Sequence, residues 1–480
     1  MAWQKARYRD FTGGENLKVL PETLLPNQVI SAQNCFITNE GLLQTREGKQ
    51  KVNLTSLGSG PIISIHRYSK ENGTKYLVAQ HGTTLYAAEW DGINQFYTFD
   101  VIKSGVDPAK LRSEVWKDLL ILTNGVDMPF TFDGITCSDL VNAYKSKLIA
   151  LYASRLWLVD VDTGFLENSN LEDPTTWTET GSYKVRDGEG DHIVALSPQP
   201  GGMVIFKQNT VQTLYGSSRF NISIGEPFSR HIGCMATDSV LHDGFFLGKD
   251  NFYTFTLNSV SPLPQTHTQI LDTMSQAQKQ AVFSCAHPIY RRALINLGDS
   301  GLRTLCIDAK WNGAITSWTH LNASCFAVAD DRDDPGTFIW GDATEGYVYS
   351  YGGLTDDGSY IETRIKSTYM EHNSIRRKEW SSFIPEVEAM ENGVTYRLYY
   401  NYDIDYSTHG GMLTDSYSRN ILLFGSDEWN TATYGTDFRI NEPFFLHDAR
   451  GNRISFELVC NNKVRFNGFT SKFREVGATI

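Results

Sequence analysis

The sequence predicts an all-β protein: a seven-bladed β-propeller with a C-terminal β-sandwich-like domain. Three observations carry that expectation. Helical periodicity is scarce. Short runs of aromatic and β-branched residues, separated by Gly, Asn and Asp turns, fill most of the chain. One phrase of such runs returns at a near-regular interval.

Residues 1–60 are turn-rich and less regular, broken by Gly13-Gly14, Asn39-Glu40-Gly41 and Glu47-Gly48. They are expected to form an N-terminal segment that closes the propeller or makes an external contact. The repeated phrase then occupies residues 61–355. Its first copy runs from Ile62 through the Asn72-Gly73 and His81-Gly82 turns to Ala87. Further copies start near residues 112, 148, 193, 239, 281 and 325. The spacing matches the ~40–50 residues of a four-stranded propeller blade, in which the middle strand is buried on both faces. A pair of stacked β-sandwiches has similar strand lengths but requires no such period. A short helix is expected over about 272–280, with Asp272 as its cap. Past Tyr351-Gly352-Gly353 the register changes. Residues 356–480 read as a second β domain, with strands near 362–366, 378–383, 395–400, 421–424 and 453–459.

Composition narrows the function classes. The 480 residues carry 43 Lys+Arg against 55 Asp+Glu, a net charge of −12. That balance argues against wrapping nucleic acid by counterion release. No apolar run approaches the ~18–20 residues of a membrane span, so no membrane partner is expected. The basic residues near Met1 are not followed by an apolar stretch, so no secretory leader is expected. The seven cysteines (Cys35, Cys137, Cys234, Cys285, Cys306, Cys325 and Cys460) show no CxxC spacing, and reduced thiols are expected.

The chain contains no phosphate loop, HExxH, GxSxG or EF-hand pattern. The carboxylates of Asp330-Asp331-Arg332-Asp333-Asp334 are adjacent rather than alternating, and read as a solvated loop. Asp187-Gly188-Glu189-Gly190-Asp191 reads as a loop leading into the strand at Ile193. The run from Ser169 to Trp177 has the outline of a sialidase Asp-box turn but lacks its glycine. Trp157, Trp177, Trp318 and Trp340 read as blade packing rather than sugar platforms. No catalytic, cofactor-binding or metal-binding residue is assigned, and no enzymatic activity is expected.

Several phrases, taken in order, resemble a known family. They begin with Phe11-Thr12-Gly13-Gly14-Glu15-Asn16, Pro26-Asn27-Gln28, Gln33-Asn34, Gly41-Leu42-Leu43 and Arg46-Glu47-Gly48. Leu122-Thr123-Asn124-Gly125 with Phe132-Asp133-Gly134 follows, then the 171–177 run, residues 202–216 and residues 246–253. Together they resemble the β-propeller tail hub or nozzle proteins of tailed phages, similar to the packaged-DNA stabilisation proteins of short-tailed phages. The likeness covers most of residues 8–350.

The resemblance implies a structural virion protein assembled in the host cytoplasm. It implies a homo-hexameric ring below the head-to-tail adaptor, which is then the external contact open to residues 1–60, with genomic DNA passing through the lumen. It also implies a dock for tail fibres or tailspikes, and no cofactor. An acidic subunit would give a tube whose walls do not grip DNA. Arg364, Lys366, Arg376, Arg377 and Lys378 form a basic cluster in the second domain. They read either as a solvated strand edge or as an inter-subunit contact with an acidic neighbour. A receptor- or glycan-binding tail protein and a propeller glycosidase are the alternative functions.

Overall fold

The computed structural model describes residues 2–89, 98–178, 181–185, 190–218, 220–242, 244–287, 291–297, 303–329, 337–372, 376–390, 394–404, 407–411, 417–419, 439–440, 444–446 and 450–476. The Asp330–Asp334 run, most of the 187–191 run and the strand expected at 421–424 lie outside these residues. The chain divides into two compact units. One comprises residues 50–304 and 320–351, the other residues 1–49, 305–319 and 352–480.

The first unit is a seven-bladed propeller. Blade 1 is the antiparallel sheet Ile62–Ser69, Lys75–His81, Thr84–Glu89 and Asp100–Ser104. Blade 2 is Arg112–Trp116, Leu119–Thr123, Phe130–Phe132 and Cys137–Asp139. Blade 3 is Ser146–Tyr152, Arg155–Asp160, Leu166–Asn168 and Ser182–Tyr183. Blade 4 is Ile193–Gln199, Gly202–Lys207, Val211–Tyr215 and Ser223–Ile224. Blade 5 has three strands, Phe245–Leu247, Phe252–Thr256 and Ser259–Pro262, with the 3-10 turn Thr237–Ser239 in the innermost place. Blade 6 brings Phe283–His287 and Arg292–Asn296 to this unit. Blade 7 is Ala323–Ala329, Thr337–Asp342 and Val348–Tyr351, with Lys49–Lys51 as its outer strand.

The innermost segments neighbour one another in order around the axis, and Ala323–Ala329 meets Ile62–Ser69 to close the circle. The outer strand of blade 7, Lys49–Lys51, comes from the N-terminal part of the chain.

Strand alternation explains the continuous apolar runs. Leu120 and Leu122 pack toward blade 1, with Tyr68, Val78 and Leu85, while Ile121 packs toward blade 3, with Leu156 and Leu158. Met203 and Ile205 pack toward blade 3 with Trp157. Val204 and Phe206 pack toward blade 5 with Phe246 and Phe255. A middle strand whose two faces both meet a neighbour has no polar side to show.

The second unit is a sandwich assembled from distant parts of the chain. In one sheet Lys378–Ala389 pairs antiparallel with Val464–Glu475, whose other side takes Gln4–Tyr8 and Leu43–Thr45. The facing sheet runs Ala314–Thr319, Gln28–Gln33, Thr363–Ser367, Arg453–Cys460, Val394–Ile404 and Ser407–Gly411. Phe383 from the first sheet stacks on Phe456 from the second, ring centroids 3.7 Å apart, inside a core with Trp380, Leu398, Leu458 and Phe469. Residues 1–49 are thus part of the sandwich rather than a separate 1–60 segment, a change from the sequence-based division. Their apolar positions, Cys35, Ile37 and Leu43 among them, share one core with Trp380, Leu458 and Phe466 from far along the chain.

The expected helix is two short ones, Thr268–Thr273 and Gln276–Gln280. Ser275, not Asp272, caps the second. Its hydroxyl accepts from Gln278 N–H, and the Gln278 side chain returns to Ser275 N–H. Among the described residues no helix is long and apolar enough to cross a membrane.

Candidate functional site

The propeller's axis holds a cavity of about 340 Å³ to which all seven blades contribute. Its polar lining includes Ser64 and His66 of blade 1, Arg112, Ser113 and Glu114 of blade 2, Thr237, Asp238 and His242 of blade 5 and Ser284 of blade 6, with Lys110 just before blade 2. These positions face inward because an innermost strand has one edge with no strand beyond it. That edge is the place in a blade where a charge can sit without burial between sheets.

An ion-pair clasp crosses the bore. Arg112 Nε lies 2.9 Å from Asp238 Oδ1 and its Nη2 3.2 Å from Oδ2, while Lys110 Nζ lies 3.0 Å from Oδ2. Blades 3 and 4 stand between the partners on the near side, so the clasp joins opposite walls. The two cations hold the Asp238 carboxyl well below the usual carboxylate range against the desolvation that would raise it. Ser284 Oγ donates to the Asp238 carbonyl at 3.2 Å, and Thr237 Oγ1 to Val194 O at 2.7 Å, fixing the turn that carries the acid.

Beside the clasp, His66 is hydrogen-bonded at both ring nitrogens, to Ser64 Oγ at 2.9 Å and Ser113 Oγ at 2.8 Å. Burial, reinforced by Lys110 and Arg112, pushes it down to about 3. Desolvation pushes the Glu114 carboxyl up to about 7, opposed by a hydrogen bond from the Leu151 backbone. The cavity thus combines an ionised acid, a neutral imidazole and an acid that titrates near neutrality.

Sequence reasoning did not single out these residues. The signal available was a charged or histidine side chain within the opening strand of a repeat: His66, Arg112, Glu114 and Asp238 all lie within a few residues of a repeat start.

The five basic residues expected at an inter-subunit contact lie in the sandwich unit. Arg364 pairs with Glu457 at 3.1 Å and Glu362 at 3.2 Å, and Lys366 approaches Glu457 at 3.9 Å. Arg376 lies 3.4 Å from Glu475. Arg377 is exposed. Lys378 is wholly buried, its Nζ donating to the carbonyls of Arg376 and Asn452. A buried ammonium lies outside any surface patch, so Lys378 leaves the cluster; its register in Lys378–Ala389 turns it inward.

Trp157, Trp318 and Trp340 are fully buried and Trp177 nearly so. The Asp-box-like run is a self-capped turn. Asp173 accepts from Thr175 N–H and from the Thr175 and Thr176 hydroxyls, and Trp177 Nε1 donates to Pro174 O. Among the described residues no group of three or more His, Cys, Asp or Glu side chains is placed to hold a metal ion. None of the seven cysteines is in a disulfide.

No protein-family model matches the chain, and no curated protein sequence matches it. Solved structures similar to it include the Neurospora crassa Pan2 WD40 domain, at 10% identity and a TM-score of 0.39, over 64% of this chain and 96% of that one. YCF48 from Cyanidioschyzon merolae is similar at 11% identity and a TM-score of 0.40, over 64% and 98%. The N-terminal domain of Nup159 is similar at 7% identity and a TM-score of 0.41, over 67% and 98%.

Proposed function

We propose that this chain is a structural subunit of a tailed-phage virion, a tail hub or nozzle protein. Six copies form a ring below the head-to-tail adaptor, and tail fibres or tailspikes dock on it. The reading rests on the sequence resemblance, and the observation that supports it is what the resembling residues do. They are structural across both units. Asn34, at φ 56°, donates to Thr319 Oγ1 and Glu362 O and accepts from Thr319 N–H and Arg46 Nε. Arg46 is wholly buried against Asp356, and Glu47 pairs with Lys463. In the propeller, Asn124 caps the turn that follows it, and residues 202–207 form the wholly buried second strand of blade 4. An ordered set of phrases devoted to joining strands suits a part whose work is mechanical.

The clasp of Lys110, Arg112 and Asp238 crosses the propeller's own bore, so in this reading DNA travels along the axis of the ring of subunits. A net charge of −12 per subunit favours walls that let phosphates slide.

The test is electron microscopy and mass photometry of the purified chain. Six copies of a 54.0 kDa chain make a particle of about 324 kDa, with sixfold class averages. Monomers or trimers that bind host cells by themselves would favour the receptor-binding alternative and overturn the hub reading.

One observation favours a second reading. Glu114 and Asp238 share a cavity and titrate far apart, a pattern found in acid–base pairs of glycosidases. Both Asp238 oxygens are occupied by cations, which counts against it as a nucleophile. Turnover of a fluorogenic glycoside, lost in Glu114→Gln, would establish that reading.

A further inference from the structure

The axial cavity holds an unbalanced charge. Lys110 and Arg112 bring two positive charges and Asp238 answers one, while Glu114, in the same lining, adds a second negative charge only as pH rises through about 7. The neighbouring His66 lies between two hydroxyls rather than beside a carboxylate. Glu114 takes a hydrogen bond from the Leu151 backbone, and it is desolvation that dominates its titration. Arg112 spends two of its nitrogens on Asp238 and a third on Lys147 O at 3.1 Å. Lys110 has three N–H donors and meets one carboxylate oxygen, with the Phe283 ring 5.1 Å from its nitrogen. The hydroxyls of Ser64, Ser113 and Ser284 line the same space but are already engaged, with Gln80, His66 and the Asp238 carbonyl respectively. A residual cation in a polar cavity draws a counter-charge, because Lys110 and Arg112 keep only 28% and 24% of their side-chain surface in water and a partly desolvated charge is costly until it is paired. The donors here are ammonium and guanidinium, groups that recognise oxygen anions.

We propose that the axial cavity of the propeller binds a small oxyanion, of the phosphate or carboxylate class, held by Lys110 and Arg112. The bound anion completes the clasp: two cations from the blade 2 side then hold Asp238 and the anion together, with the charge balanced. This inference is independent of the tail reading, since it concerns a single chain and not a ring.

The experiment uses the whole chain, titrated calorimetrically with inorganic phosphate and with acetate, with chloride at matched ionic strength as control. Thermal unfolding is followed in parallel. One saturable site for phosphate or for acetate is expected, with a melting temperature that climbs with ligand concentration. Lys110→Met is expected to weaken the affinity about tenfold or more, and Asp238→Asn, which removes the competing carboxylate, to tighten it about tenfold. Opposite shifts from two changes in one clasp separate a site from general destabilisation. If either variant fails to fold, the chloride-controlled titration of the unaltered chain decides. Absence of saturable binding of both anions overturns the proposal, as does a site whose affinity neither folded variant moves.

Discussion

Replacing Arg46 tests how the sandwich unit is held together. Its side chain is wholly buried and all five N–H groups are used. Nη1 and Nη2 meet the two Asp356 oxygens at 2.8 and 2.6 Å. The remaining three reach Asn34 Oδ1 at 3.2 Å, Glu47 O at 2.9 Å and Thr319 O at 2.9 Å. Arg46→Met keeps the volume and removes every donor. It leaves Asp356, itself 8% exposed, as a buried carboxylate without its cation, and strips donors from two carbonyls. Removing one partner of such a pair costs about 3–5 kcal/mol, whereas replacing both with apolar groups is often neutral. At about 2–4 °C per kcal/mol for a body this size, the sandwich transition falls by roughly 6–20 °C. Differential scanning calorimetry and urea unfolding would follow it. Arg46→Met with Asp356→Leu is expected to recover much of the loss. Arg46→Lys, with three donors for five acceptor positions, is expected to fall between. A loss below about 1 kcal/mol in Arg46→Met, or a double variant no better than the single, would refute the reasoning.

Three further outcomes are expected. Burial holds His66 down near 3, so its contribution is complete above its ordinary value of about 6.5 and is lost as pH falls toward 3. Glu114, held up to about 7, retains a proton that the unfolded chain releases near 4.3, so stability falls as pH rises from about 4.5 to 7. Urea midpoints should therefore peak between about pH 5 and 6.5, and Glu114→Gln should remove the alkaline decline; an unchanged profile in that variant would count against the assignment. Gly341→Ala places a Cβ 2.4 Å from Ile62 Cβ, where blade 7 meets blade 1. A cost of about 1–3 kcal/mol by chemical denaturation is expected, partly recovered in Gly341→Ala with Ile62→Val. Native protein should offer a thiol reagent at most one group, slowly. Six cysteines are buried, and burial holds half-buried Cys137 up to about 11; all seven should react after unfolding.

The propeller was legible because its period is imposed by local chemistry. Each blade is a run of short strands joined by tight turns. Strands accordingly begin at Ile62, Arg112, Ser146, Ile193, Phe283 and Ala323, close to the repeat starts read from the chain. Blade 5 departs at its inner edge, where Ser239 Oγ donates to Ala236 O and accepts from Leu247 N–H. A hydroxyl does there what a strand partner does elsewhere, and a Ser in an apolar run does not announce that role. The clasp was not legible, since Lys110 and Asp238 meet only once the circle closes. Nor was the inward turn of Lys378, because two basic residues precede it and its carbonyl acceptors come partly from Asn452. The assignment of residues 1–49 to the sandwich depends on pairings such as Gln4 with Phe473, and no local pattern encodes so long a reach.

That reach has a consequence for biosynthesis. Gln4–Tyr8 emerges from the ribosome about 460 residues ahead of its partner Val464–Glu475. At about 5–20 residues per second the wait is roughly 20–90 s. Throughout it, a nascent strand with unpaired backbone is exposed to every neighbouring polypeptide. Lys5, Arg7 and Arg9 supply the charge that discourages adventitious pairing in that interval. The wheel can close before the layers that flank it in sequence have their final strand, so a stalled or truncated message would leave a finished propeller and a sandwich still short of a strand.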